Sequence, residues 1–445
     1  MSLKRQNQII MKKIAFLTLT TVLFLSCTQQ PKITQEIINS DVINFWNAYD
    51  KVSSTKDTIL QLKYINEIFI DNASRGQKGM FEARNYTPKE YINAINSFPK
   101  FWSSIRKNTL ETEKYNVQIR KGIDKLKEIY PNLKPSTIYY TIGVFRSPGT
   151  GFDDLALIGS EFALGDKNTI TEEFPENLSH IRNYYEINPS EYLDFLNIHE
   201  YIHTQQNPAL ENTLSQSLFE GIADFIAARV TNKNAPFTYH EFGLKNEEKL
   251  KKAYEKEVFN IRKMGDWMWN QNNQFQTRDL VYFIGSRIAE ANYNKAADKK
   301  EAIKEMIELD YNNETQIENF INNSDYFSDT IENLYQNFEA DRPKVIAIKQ
   351  FKNGRQDVSS NTTEITLIFS KKMDTRIKST GFGELGKEHF PRLIGIDFAN
   401  DGLSITYKFK LEANKRYQIL LENGYRTEDE IPLKPFLIDF KTSND

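Results

Sequence analysis

Only five histidines occur in 445 residues, and two of them stand in His199-Glu200-Tyr201-Ile202-His203. Residues four apart on a helix share one face, with Cβ atoms about 5–6 Å apart, so two imidazoles at that spacing reach one ion. Glu200 is rotated off their line and reaches a water on the same ion. Two neutral nitrogens do not complete a catalytic zinc site, which takes three protein ligands and keeps one position open. A third histidine in the pattern HExxHxxGxxH is excluded, because Gln206 stands at the glycine and Ala209 at the last histidine. The other solution is a glutamate on a following helix. Ser217-Leu218-Phe219-Glu220-Gly221-Ile222-Ala223-Asp224-Phe225-Ile226-Ala227 supplies Glu220, 17 residues after His203, with a loop containing Pro208 between them. Asp224 lies one turn further on the same face, where it can accept a hydrogen bond from the second ring nitrogen of a ligating histidine. Gly221, Ala223 and Ala227 are small, as expected where helices approach closely around an ion.

The elements that position these groups are legible in outline. Asn188 as N-cap, Pro189 at the first helical position and Glu191 in a capping box predict that the motif helix begins there. Tyr192, Phe195, Leu196, His199 and His203 then share one stripe. Residues 34–341 are mainly helical by periodicity, with Ile37-Ile38, Val42, Phe45 and Trp46 at helical spacing. Pro131 and Pro135 break the pattern. Two strands are expected at 137–145 and 155–162, joined by the loop signal Ser147-Pro148-Gly149-Thr150-Gly151. The second could pair with an extended peptide by β-augmentation. Beyond Pro343 the composition changes to short β-rich runs at 345–351, 364–369, 393–398, 403–409, 416–421 and 436–440, the density of a β-sandwich. The fold class is therefore α+β and multidomain, with residues 37–341 as the metal-binding domain and 342–445 as the sandwich.

A formal net charge of -3 gives no electrostatic footprint for nucleic acid. The N-terminus points instead to a membrane. Lys4, Arg5, Lys12 and Lys13 precede an apolar run at 14–25, shorter than the roughly 20 residues of a spanning helix. It ends in Leu23-Phe24-Leu25-Ser26-Cys27, and Cys27 is the only cysteine. This resembles the lipobox of a bacterial lipoprotein, although Phe24 stands where an aliphatic residue is usual. It implies a signal segment at 1–27, a lipidated Cys27, a tether at 28–36 and a membrane partner reached through the lipid. Thr28 after the cysteine suggests the outer membrane, facing the periplasm or the cell surface. A plain cleaved signal is the alternative.

Residues 137–310 resemble the gluzincin group of zinc metallopeptidases. They resemble more closely a family of bacterial lipoproteins described as predicted zinc-dependent proteases and related to the gliding-motility lipoprotein GldB. The resemblance rests on His199-Glu200-Tyr201-Ile202-His203-Thr204-Gln205-Gln206, on residues 218–227, and on Asp279-Leu280-Val281-Tyr282-Phe283-Ile284-Gly285-Ser286-Arg287-Ile288. It implies that His199, His203 and Glu220 ligate one Zn2+ and that Glu200 is the general base of peptide hydrolysis. It makes Tyr282 the candidate donor to the oxyanion, with Arg278 a second candidate. His180 and His240 are expected on the surface, and Trp267 and Trp269 either in the core or along a cleft. The C-terminal runs resemble bacterial immunoglobulin-like domains on Ile365-Thr366-Leu367-Ile368-Phe369-Ser370-Lys371-Lys372-Met373-Asp374, 411–420 and 436–442. The substrate class implied is a peptide or protein of the cell envelope. The rival reading is a non-catalytic envelope lipoprotein, an assembly or motility accessory, with a structural zinc. A structural zinc has no need of Glu200, so the complete set favours the enzyme.

Overall fold

The computed structural model describes residues 36–271 and 273–444. The expected lipidation site at Cys27 lies outside the described residues.

The first sheet has the order β1-β2-β4-β3. Strand β1 (Ile37–Ile38) runs parallel to β2 (Thr137–Thr141), and β2 runs parallel to β4 (Leu155–Gly159). Strand β3 (Gly149–Phe152) closes the other edge, antiparallel to β4. All five residues of β4 are buried, which is why it reads as a continuous apolar run rather than an alternation.

Four expectations need correction. Ile37-Ile38 is a strand, not the start of a helix, because β2 offers it a parallel edge. The strand expected at 137–145 stops at Thr141, because the next backbone groups are captured by side chains. Gln77 clamps Ile142 from both sides, accepting from its N–H at 2.8 Å and donating to its carbonyl at 2.9 Å. The Tyr91 hydroxyl donates to the same carbonyl at 2.7 Å, and the Gly143 N–H donates to the buried Glu161 at 2.9 Å. The strand expected at 155–162 ends at Gly159 and passes into a short helix, Ser160–Ala163. The loop signal at 147–151 contains most of β3, whose glycines carry no strand preference of their own.

The rest of this part is helical. Helix Pro88–Ser97 shows how local sequence sets a boundary: Thr87 caps it, Glu90 closes the capping box and Pro88 takes the first turn. One buried apolar cluster runs from Val42 to Leu334 and includes Phe45, Trp46, Phe69, Tyr91 and Trp102. Within it the Trp46 indole donates to Thr109 at 2.9 Å, so the buried ring leaves no unmet donor.

All six β-runs expected after Pro343 are strands: β5 (Val345–Ile348), β6 (Glu364–Phe369), β8 (Arg392–Phe398), β9 (Ser404–Lys410), β10 (Arg416–Leu421) and β11 (Phe436–Lys441). A short β7 (Thr380–Gly381) joins them. They form two antiparallel sheets, β5-β6-β9-β8 and β11-β10-β7, which share a second buried cluster from Phe351 to Phe440. The protein is thus α+β and multidomain. Among the described residues no helix is long and apolar enough to cross a membrane.

Candidate metal centre

The motif helix is Leu193–His203, and every residue from Leu193 to Ile202 is buried. It packs on β3 and β4, on helix Glu113–Ile129 and on the acidic helix Thr213–Thr231. Its entry differs from expectation. Asn188 is left-handed at φ 58° and caps nothing with its side chain, and Pro189–Tyr192 forms a 3-10 turn before the α-helix. In that conformation the Asn188 amide turns toward the Lys167 N–H instead, at 3.4 Å. Pro189 still stands in the first turn, and the register of the two histidines is unaffected.

The acidic helix begins where Asn212 accepts from the Ser215 N–H at 2.8 Å. It brings Glu220 to the histidines. His203 Nε2 lies 3.0 Å from His199 Nε2 and 3.1 Å from Glu220 Oε2. His199 Nε2 lies 3.3 Å from the same oxygen. Tetrahedral ligands at bonds of about 2.0 Å stand about 3.3 Å apart, so this triangle is one face of such a site.

The neighbours decide what the triangle is. The Gln206 amide nitrogen donates to the Phe219 carbonyl at 3.1 Å and to the Tyr311 hydroxyl at 2.8 Å. A carbonyl only accepts, so the amide oxygen is the atom 2.7 Å from His203 Nδ1, and that nitrogen carries the proton. His199 Nδ1 lies 2.9 Å from Asp224 Oδ1, in bent geometry, and Tyr239 donates to the other Asp224 oxygen at 2.6 Å. Both imidazoles therefore present Nε2 lone pairs beside a carboxylate. Three acceptors this close require a cation or a proton among them, and the His-His-Glu donor set suits Zn2+. The fields agree. Burial by itself would hold the His199 imidazolium down, but Asp224 and Glu220 raise its pKa well above the ordinary value. Burial by itself would raise Glu220, but His203 and His199 hold it far below the carboxylate range.

Glu200 lines the same cleft, of about 950 Å³, and burial raises its pKa. Strand β3 passes directly over it. A Cβ on Gly149 would stand 2.6 Å from the Glu200 carboxylate, and one on Gly151 2.5 Å from His203 Cβ, so both glycines are required by close approach. Arg84 ties this strand down, donating to Ser147 Oγ at 3.0 Å and to the Gly149 carbonyl at 3.4 Å. Because β4 is interior and β3 is the edge, any pairing with an extended peptide falls to β3. This corrects the expectation for 155–162.

Helix Leu280–Lys295 crosses the acidic helix where Gly285 meets Gly221. It delivers Tyr282, whose ring stacks on His199 with centroids 6.0 Å apart and planes 22° apart. Tyr282 faces the cleft, and burial holds its hydroxyl protonated. Arg278 also lines the cleft, paired with Asp279 at 2.8 Å. His180 lines the cleft rather than the outer surface, and burial and Arg278 lower its pKa. His240 is half-buried against Phe283, because its helix packs on the one carrying Tyr282. Trp267 is core, edge-on to Tyr254 at 5.1 Å, while Trp269 lines the cleft. Sequence reading missed Arg84, Tyr239, Gly149 and Gly151. It registered Gln206 as an absent glycine and as the last residue of the resembling motif, with no role assigned to it. The spacing Gly-x-Gly beside a predicted strand was the one available signal.

No family model matches the chain, and no curated protein does. Among solved structures, the N-terminal part of the bacterial S-layer protein SbsC aligns over 91% of this chain and 77% of its own, at 13% identity and a TM-score of 0.18. A longer SbsC structure aligns over 60% of this chain and 37% of its own, at 15% identity and a TM-score of 0.19. The chain thus spans little more than a third of that protein. An aminopeptidase N family protein from Idiomarina loihiensis aligns over 75% of this chain and 63% of its own, at 12% identity and a TM-score of 0.27. These are weak structural likenesses, and scores this low carry no argument about the site.

Proposed function

We propose that this chain is a zinc-dependent peptidase of the gluzincin kind, acting in the bacterial cell envelope. The observation that carries the reading is the triangle of acceptor atoms from His199, His203 and Glu220 with the Glu200 carboxylate in the same cleft. Zinc held there supplies Lewis acidity to a water and to the carbonyl under attack. Glu200 takes a proton from the attacking water and delivers it to the leaving amine nitrogen. Burial raises its pKa above the ordinary carboxylate value. The missing side chain at Gly149 leaves that carboxylate room beneath β3. Tyr282 donates its hydroxyl to the oxygen that gains charge. The edge strand β3 binds the peptide backbone in extended form. The same reading has the mature chain anchored by lipid at Cys27, with 342–445 as an immunoglobulin-like spacer or binding module.

The test is zinc content together with cleavage of a diverse peptide library, comparing the parent protein with Glu200→Gln. The expected result is about one zinc per chain in both and cleavage only by the parent. Equal cleavage by both removes Glu200 from the mechanism. Zinc in both with cleavage by neither favours a structural metal in a non-catalytic envelope protein.

A further inference from the structure

One wall of the cleft is built without regular structure. Between Met268 and Leu280 the described residues form neither helix nor strand, yet Met268, Trp269, Gln271, Gln276, Thr277 and Arg278 line the same cleft as Glu200. A side-chain amide holds this wall in shape. Asn273 Nδ2 donates to the carbonyls of Thr277 at 2.6 Å, Asp266 at 2.7 Å and Asn270 at 3.3 Å, and Asn273 Oδ1 accepts from the Phe275 N–H at 2.9 Å. The wall is thereby one unit with the five-residue helix Met264–Met268. Trp267 pins that helix to the core, edge-on to Tyr254 and with its indole donating to Glu257 at 3.0 Å. One buried ring fixes a point, and so short a helix can still pivot about it.

A second support comes from the C-terminal sheets. Tyr425 and Leu433 lie in their buried core, and the Leu433 N–H donates to the Tyr425 carbonyl at 2.8 Å. The hairpin between them is tight. Arg426 pairs with Pro432, the Ile431 N–H donates to Thr427 Oγ1 at 3.1 Å, and Glu430 takes a left-handed position at φ 65°. This tip meets the chain just before the short helix. Asn260, buried, donates from Nδ2 to the Glu430 carbonyl at 3.0 Å and accepts from the Arg262 N–H at 3.2 Å. Lys263 Nζ lies 2.9 Å from the Glu430 carboxylate and 3.4 Å from that of Asp266. Arg342 holds the returning arm of the hairpin, donating to the Leu433 carbonyl at 2.7 Å and the Pro432 carbonyl at 3.1 Å. A partly exposed ion pair by itself contributes little. Beside a buried amide and a rigid turn it fixes a direction, because Lys263 is the residue from which the short helix departs.

We propose that the Glu430 hairpin braces this wall of the cleft, with Asn260 and Lys263 as positioning residues, so that the C-terminal sheets take part in binding the peptide. This role rests on the peptidase reading above. The metal ligands and Glu200 stand on other elements, so the brace acts on peptide binding and not on the chemical step. Remote contacts of this kind carry a coupling that reads as roughly 2- to 30-fold in an affinity. Glu430 is not among the residues lining the cleft, so a change there reaches the peptide only through the hairpin.

The experiment measures kcat, KM and zinc content of the full-length chain in Lys263→Glu, in Glu430→Lys and in the double exchange, on a peptide that the parent cuts. Amide hydrogen exchange across 265–279 is followed in the same proteins. Each single change is expected to raise KM by roughly 2- to 30-fold, with kcat and zinc at the parent level, and to speed exchange across 265–279. The double exchange re-forms the pair with its signs reversed and is expected to restore both. Asn260→Asp keeps the bond from Arg262 but turns the donor facing the Glu430 carbonyl into an acceptor, and is expected to act like the single changes. Unchanged KM and exchange in the single variants, or changes that the double exchange does not repair, overturn the brace while the peptidase reading stands. A fall in kcat at constant KM overturns it too. If the parent cuts no peptide, the peptidase reading fails and the role in peptide binding falls with it, while exchange across 265–279 still decides whether the hairpin holds the wall.

Discussion

Replacing Gly285 by alanine puts a Cβ 1.6 Å from the carbonyl oxygen of Ser217. Carbon and carbonyl oxygen pack no closer than about 3.3 Å, so the two helices must part by roughly 1.7 Å at this crossing. Overpacking of this kind costs typically 1–3 kcal/mol, and a clash against backbone rather than a flexible side chain belongs at the upper end. The displacement does not stay local. Ser217 sits three residues before Glu220 on the same helix, and Gly221 opposite Gly285 has no slack, since a Cβ there would lie 2.3 Å from Gly285 C. The ligand triangle has sides of 3.0, 3.1 and 3.3 Å, and a metal site tolerates about 0.2 Å in its bonds. Withdrawing Glu220 by more than 1 Å is expected to weaken zinc binding by about 100-fold or more. Chelator competition measures that affinity, and thermal melting of the metal-free protein measures the packing cost. The sign is diagnostic, because Gly→Ala inside an unhindered helix stabilises by about 1 kcal/mol. A Gly285→Ala protein that melts at or above the parent and binds zinc equally would refute the argument that this crossing holds Glu220 in place.

Asp224→Asn is expected to weaken zinc affinity by roughly 10- to 100-fold, since the carboxylate fixes the His199 tautomer; an unchanged titration would reduce Asp224 to a packing residue. Glu161 is buried and its pKa is pushed up from 4.5 to about 7, so the fold favours its protonated form. That contribution is complete below pH 4.5 and is lost as pH rises through 7, a difference on the order of 3 kcal/mol. Glu161→Gln should therefore raise the melting temperature relative to the parent at pH 8 and lose that advantage near pH 4.5, and a pH-independent difference would count against it. Deleting 343–445 should leave a folded, zinc-binding chain, because the apolar clusters 42–334 and 351–440 are separate; loss of both metal and helical signal would show that they depend on each other. Cys27→Ser should abolish incorporation of a fatty-acid analogue and release the protein from membranes, whereas an unlabelled, soluble parent would end the lipoprotein reading.

What could be read from the chain alone was whatever helix geometry sets locally. The spacing of His199 and His203 places two imidazoles on one face whatever surrounds them. The Glu220–Asp224 pair does the same for two carboxylates on the next helix. The six C-terminal strands were equally visible, because turn residues and alternation repeat within each short run. The groups that needed a partner from elsewhere were not visible. Strand β3 contains two glycines and exists because β4 and the motif helix accept it, so its sequence looks like a loop. Asn188 has the residue type of a cap, but it is itself left-handed and its side chain turns to the Lys167 N–H instead. Gln206 orients His203 only because Phe219 O and Tyr311 take its amide nitrogen, and Tyr239 reaches Asp224 from the start of another helix. Periodicity along one segment decides which side chains share a face. Which faces meet, how closely, and which edge is left free is settled by packing between segments far apart in the chain, and that is information only the tertiary structure holds.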